Sequence, residues 1–190
     1  MLQMKKIIRP FQILYCIYAL CIFACLTIVS LFAMLFILPL GDKYLTIGIY
    51  KIGRYFSKTL YFFIGMRHQE IYEGIHHFDK AHVFVGNHNS YMDIPPIVQL
   101  KHQPIKPLGK FESSKIPLFG LFYRHIVIMV DRSNPEKRAQ SLQNLKEALK
   151  QKISIFIFPE GTFSMTEEKP LKDFYNGAFK LAIEMQVPIQ

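Results

Sequence analysis

The chain has no tryptophan and, outside one segment, no cysteine. Cys16, Cys21 and Cys25 all fall within residues 10–41, so the rest of the sequence can build neither a disulfide framework nor a cysteine-based metal site. Within that segment they read as small apolar residues facing lipid or a neighbouring helix. The lack of disulfides fits a reducing, cytosolic face. Acids are scarce, 14 against 23 lysines and arginines, which leaves a net charge of +9. No nucleotide or metal-ligand motif, internal repeat or low-complexity linker occurs, so neither a metal nor a resident cofactor is expected.

Charge is missing altogether from residues 10–41, "PFQILYCIYALCIFACLTIVSLFAMLFILPLG". A membrane-crossing helix needs about 20 such residues, whereas a cleaved secretory signal has an apolar run of about 7–15. Residues 1–41 therefore read as a retained membrane anchor. Residues 44–65 interleave Lys51, Arg54 and Lys58 with aromatic and aliphatic residues. Spacings of three and four put those charges on one helical face, so 42–66 reads either as an interfacial amphipathic helix or as a helix facing a core. Basic residues flank the apolar segment on both sides; a helix re-entering on the same side reconciles them, and one complete crossing is the alternative. Residues 101–152 hold eleven basic residues against four acidic ones. Such a surface is drawn to anionic headgroups by about 1 kcal/mol per basic residue. Nucleic acid would attract it equally, but the anchor favours lipid.

Beyond residue 66, short apolar runs alternate with amphipathic segments. "HQEIYE" (68–73), "HVFVG" (82–86), "HIVIMV" (125–130) and "ISIFIF" (153–158) read as strands. Between the last two, a helix is expected with Ser133 as N-cap, Glu136 three residues later, and Ala139, Leu142, Leu145 and Leu149 buried. "NGAFKLAIEMQ" reads as a further helix before "VPIQ". This alternation predicts an α/β domain over 67–190, with a mixed, largely parallel sheet flanked by helices. The chain stops where a strand should begin, so that domain is expected to be incomplete at its C-terminus.

In α/β folds, functional residues gather in loops after the carboxyl ends of strands. Three polar loops take that position: "GNHNSYMD" (86–93), "VDR" (130–132) and "PEGTFS" (159–164). His88 and Asp93, five residues apart, read either as a catalytic pair or as a histidine beside a Ser90–Asp93 capping box. The spacing decides nothing, since His68 and Glu73 share it. "PEGT" also suits a β-turn, and Asp131–Arg132 a solvated pair at a strand end.

Taken together, "NHNSYMD", "KFESSKIPLFG", "VDR", "FPEGTFS" and "VPI" follow the order and rough spacing of the blocks of glycerolipid acyltransferases. Over residues 65–190 the chain most resembles the bacterial 1-acylglycerol-3-phosphate acyltransferases, which make phosphatidic acid. The resemblance implies that His88 is the general base and that Asp93 orients and charges it. On a continuous helix the two would point about 140° apart, so His88 must sit on the loop before the helix and turn back. Asp93 then holds one ring nitrogen while the other takes the acceptor hydroxyl's proton, and the oxygen attacks an acyl thioester with no protein nucleophile. The resemblance also places Glu160, Gly161 and Thr162 along the acceptor site: Gly161 for close backbone approach, Glu160 for a glycerol hydroxyl. Arg132 and Lys110 would neutralise the acceptor phosphate.

There are departures from the family pattern. Phe163 stands where the block usually carries a phosphate-binding arginine, His125 stands where glycine is common, and Asn89 replaces glutamine or threonine. The expected protein is a membrane-bound O-acyltransferase acting from the cytoplasmic face of the inner membrane. Its expected partners are a lysophospholipid acceptor, an acyl carrier protein or CoA thioester as co-substrate, and an anionic membrane surface. Rival readings are another acceptor (glycerol 3-phosphate or an amino-acid lysolipid) and a catalytically silent basic membrane-binding module.

Overall fold

The computed structural model describes residues 2–40, 42–73, 79–100, 104–131, 134–162 and 171–190. It divides into two compact units, Met1–Gln69 and Glu70–Gln190. The two N-terminal segments expected from sequence thus form one unit.

The first unit is a helical hairpin of α1 (Leu2–Ile37) and α2 (Asp42–Phe63). Its stretch Pro10–Ile37 is apolar and long enough to cross a membrane. The helices run antiparallel. Phe23 of α1 meets Phe56 of α2 edge-on at 5.4 Å. Tyr15 and Tyr18 donate their hydroxyls to the carbonyls of Ile64 (2.7 Å) and Phe63 (2.9 Å), satisfying acceptors that a helix C-terminus leaves without partners. Thr27 and Ser30 from α1 and Gly53 and Ser57 from α2 are buried. Small residues at such an interface let helices approach closely, as they do where lipid surrounds them. Ile49, Gly53, Ser57, Leu60 and Tyr61 form the buried face of α2, with Ile64 buried just past its end, while Lys51 and Lys58 lie exposed. Within the 42–66 segment, Asp42–Phe63 is therefore a helix packed along α1 that keeps a charged face outside. All three cysteines are exposed on α1.

In the second unit, β1 (Val83–Val85), β2 (Ile105–Lys110), β3 (Ile128–Val130) and β4 (Ser154–Ile157) form one sheet in the order β1-β4-β2-β3. Every described pairing is parallel, with Val83 opposite Ile155, Lys106 opposite Ile155 across the other edge of β4, and Leu108 opposite Ile128. Ile189 adds a parallel bridge to Val83 on the outer edge of β1. The expected α/β sheet is thus present. Helices α4 (Pro135–Lys150) and α5 (Gly177–Met185) cover one face, where Val83, Ile155 and Ile157 meet Leu145, Leu149, Leu181 and Ala182. The opposite face gathers Phe84, Ile97 and Ile105 with Phe156 and Phe158.

Several sequence expectations need correction. Residues 68–73 form no strand, and Ile71 is 76% exposed, so the alternating pattern has no surface to bury against. Strand β2, "IKPLGK", was not anticipated because proline and glycine argue against a central strand. It is stepped, pairing with β4 over Ile105–Pro107 and with β3 over Leu108–Lys110. A Cβ at Gly109 would run into the Tyr123 hydroxyl and Val127, so a larger residue there would have to displace both side chains. The run 125–130 is divided: His125 and Ile126 end helix α3 (Phe119–Ile126), and the strand starts at Ile128. Continuous apolar runs do not separate buried helix from buried strand.

Helix α4 is capped by Asn134, whose Oδ1 accepts from the N–H groups of Glu136 (2.8 Å) and Lys137 (3.4 Å). Pro135 at the first helical position fixes that register; Ser133 lies outside the described residues. Its buried face is Ser141, Leu145, Ala148 and Leu149, whereas Ala139 and Leu142 are exposed. Ser141 faces inward because its hydroxyl reaches the Met129 carbonyl at 2.9 Å.

The block "KFESSKIPLFG" is a packing device. Gly120 lies so close to the Ser114 carbonyl that any Cβ would collide with backbone, and Arg124 donates to the same oxygen at 3.2 Å. Gly120→Ala is expected to destabilise the fold by about 1–3 kcal/mol, the usual range for overpacking. A thermal unfolding scan of the full chain checks this, and an unchanged midpoint would show that the block yields easily.

Candidate active site

Because the sheet is parallel, the carboxyl ends of all four strands share one edge, and the loops after β1 and β4 meet there. Strands β1 and β4 are direct neighbours, so the loop carrying His88 lies beside the turn carrying Glu160.

The two arrangements that the sequence left as alternatives coexist in geometry: Asp93 contacts His88 and also closes a capping box. A single-turn 3₁₀ helix spans Tyr91–Asp93, capped by Ser90, whose hydroxyl oxygen accepts the Met92 N–H at 3.1 Å. Asp93 completes the capping box by accepting the Ser90 N–H at 2.8 Å. The same oxygen, Oδ2, accepts the Asn89 N–H at 2.8 Å and lies 3.2 Å from His88 Nδ1. His88 does turn back from the loop toward the helix. A carboxylate accepts only, so Nδ1 is the donor in this contact.

The imidazole is held in a second way that the sequence did not signal. It stacks on the Phe158 ring with centroids 3.8 Å apart and planes 12° from parallel. Phe158 directly follows β4, and alternation along that strand brings it to the same face as Phe156. Gly86 lets the outgoing loop pass this aromatic surface, since a Cβ there would lie 2.9 Å from the Phe156 ring.

The expected turn after β4 is also present. The Gly161 N–H donates to the Phe158 carbonyl at 3.0 Å, and Gly161 adopts φ +68°, which glycine tolerates without strain. Glu160 is placed differently from an acceptor ligand at the surface. It is 2% exposed, with Oε1 accepting the His88 N–H at 2.9 Å and Oε2 accepting the Lys172 N–H at 3.0 Å. Thr162 is exposed beyond the turn.

Lys110 ends β2 with its side chain exposed, and its carbonyl accepts the Tyr123 hydroxyl at 3.0 Å. Burial pushes the Tyr123 phenol above its usual range, which keeps it a donor there. Two strand spacings separate β2 from β1, roughly 10 Å, a gap that a lysine side chain partly closes. Asp131, after β3, pairs with Lys137 of α4 at 3.0 Å. Arg132 and Phe163 lie outside the described residues.

A parallel sheet with a histidine–aspartate pair at its carboxyl edge, on a chain carrying an apolar N-terminal helix, fits an established class. Residues 68–190 match the Acyltransferase family, and the chain belongs to it. Among individual relatives, it is 33% identical over 112 residues to the chloroplast 1-acyl-sn-glycerol-3-phosphate acyltransferase of Brassica napus, a stretch covering 58% of this chain and 32% of that one. It is 32% identical over 109 residues to the 1-acyl-sn-glycerol-3-phosphate acyltransferase of Salmonella typhimurium, covering 56% of this chain and 44% of that one. The aligned stretches thus span less than half the length of these relatives. In fold, the chain is similar to the crystal structure of the 1-acyl-sn-glycerophosphate acyltransferase PlsC from Thermotoga maritima. The TM-score is 0.65 at 22% identity, covering 92% of this chain and 73% of that one.

Proposed function

We propose that the protein is a membrane-bound O-acyltransferase that moves a fatty acyl group from an acyl thioester to the sn-2 hydroxyl of 1-acylglycerol-3-phosphate, giving phosphatidic acid. The observation that carries this reading is the His88 imidazole, fixed by Asp93 at Nδ1 and by Phe158 across its face. Nε2 takes the acceptor hydroxyl's proton as the oxygen bonds to the thioester carbonyl carbon. The tetrahedral intermediate then collapses, breaking the carbon–sulfur bond, and the thiolate leaves with the proton from the imidazolium. Asp93 supports the positive charge that His88 carries between the two transfers.

The thioester is carried by acyl carrier protein or by CoA, and the basic stretch 101–152 suits either acidic donor. The apolar helix Pro10–Ile37 and the small-residue interface of the hairpin support anchoring in a bilayer; we assign residues 67–190 to the cytoplasmic face, which their lack of cysteine suits. Anionic lipid is the surface that a +9 chain meets most favourably.

A panel of lysolipid acceptors, offered with both donors to the detergent-solubilised chain, tests the proposal. Lysophosphatidic acid is expected to be the preferred acceptor, and thioester consumption with none of them would leave a silent membrane module. Lys110→Ala is expected to raise the acceptor KM while the donor KM holds, because it removes a cation from the phosphate and leaves the base intact. An unchanged acceptor KM would misplace the phosphate site. Phe163, standing where the family usually has arginine, favours a second reading in which the acceptor lacks a phosphate. Phe163→Arg separates the two: it preserves or improves use of lysophosphatidic acid under the first reading, and impairs the native reaction under the second.

A further inference from the structure

Burying a carboxylate is costly unless its oxygens are hydrogen-bonded, so the partners of Glu160 show what it is for. At 2% exposure it spends one oxygen on the backbone N–H of His88 and the other on the backbone N–H of Lys172. His88 and Lys172 lie on opposite sides of it in the chain, the first in the loop after β1, the second in the segment leading to α5. The same turn supplies Phe158, the ring on which the His88 imidazole stacks. The exit from β4 therefore holds the histidine at two places, by ring and by main chain. Asp93 holds it at a third.

We infer that Glu160 is a positioning residue for His88, which sets the height of the base above the sheet edge and ties it to the segment beginning at Leu171, rather than a ligand of the acceptor. This rests on the reading of His88 as the base. Each contact restricts a different freedom. Asp93 selects the rotation of the ring, Phe158 its plane, and Glu160 the main chain from which it projects. Removing the last leaves the ring chemically intact but displaced, and a displacement of about 1 Å in a reacting group is enough to lower rate on the order of 100-fold.

Two substitutions isolate the bridge. Glu160→Gln keeps size and shape but offers one acceptor oxygen, so its amide nitrogen confronts the second N–H donor to donor. Glu160→Asp keeps the charge but is one methylene too short to span both amides. In the full chain, with rates expressed per folded protein, both are expected to lower kcat roughly 10- to 100-fold and to leave the acceptor KM within about twofold. Hydrogen exchange at the His88 amide should accelerate in both. The ¹⁵N imidazole signal lost in His88→Ala should move from one tautomer to a mixture. The exchange and tautomer readouts require no substrate, so they hold or fail independently of which acceptor is used. A raised acceptor KM with native kcat would make Glu160 an acceptor ligand. Native kcat in Glu160→Asp would make charge, not the bridge, its contribution. Activity falling only with the folded fraction, with the His88 amide and tautomer unchanged, would reduce it to a structural residue. Any of these three results overturns the inference.

Discussion

His88→Ala is expected to abolish acyl transfer while leaving the protein folded and membrane-associated. General-base catalysis contributes roughly 10²–10⁴-fold, and no protein nucleophile takes over when the imidazole is gone. The fold should survive because the His88 main chain, which bonds to Glu160, remains, and the ring covers only the outer face of Phe158 at the margin of its cluster. Thioester consumption, measured beside the circular dichroism spectrum of the same preparation, gives the result. Turnover within a few-fold of native would falsify the mechanism proposed here.

Asp93→Asn is expected to produce the next largest loss, roughly 10²–10⁴-fold, by a different route. The amide keeps an oxygen for the Asn89 and Ser90 N–H groups, which now donate to the carboxylate at 2.8 Å each. The same oxygen still faces Nδ1, but without its negative charge it no longer supports an imidazolium. The loop should persist while the chemistry fails. Asp93→Ala removes both tasks, and should add a stability loss of about 0.5–2 kcal/mol, as for a lost helix cap. Comparing unfolding midpoints with rates for the two variants separates orientation of the base from organisation of the loop. Combining His88→Ala with Asp93→Asn should cost little more than His88→Ala alone, because groups acting as one unit are not additive.

Much of the molecule was legible in one dimension. An uncharged run from residue 10 to 41 declares a helix that apolar surroundings must receive, and α1 covers it as far as Ile37. The apolar runs at 82–86 and 153–158 became β1 and β4, and the His88–Asp93 pair formed as its spacing allowed once the histidine left the helix. These are local facts: five residues separate the pair, and hydrophobic periodicity needs no partner to be read. Strand β2 was hidden because Pro107 and Gly109 carry the wrong local signals, and only the stepped pairing with β4 and β3 accommodates them. The apparent strand at 68–73 is the converse case, an alternation with nothing opposite it.

Residue types and their order were thus enough to determine the family, the apolar N-terminal helix and the meeting of a histidine with an aspartate five residues on. Tertiary structure alone decided how that histidine is held. Phe158 and Glu160 lie 70 and 72 residues from it, and meet it only because β4 inserts next to β1. No periodicity encodes that adjacency, since a crossover through α4 creates it. Nor does sequence distinguish a glutamate reaching toward a substrate from one turned inward onto two backbone amides. That choice depends on which N–H groups the folded loops leave to be satisfied, and a buried carboxylate takes the arrangement in which both its oxygens are bonded.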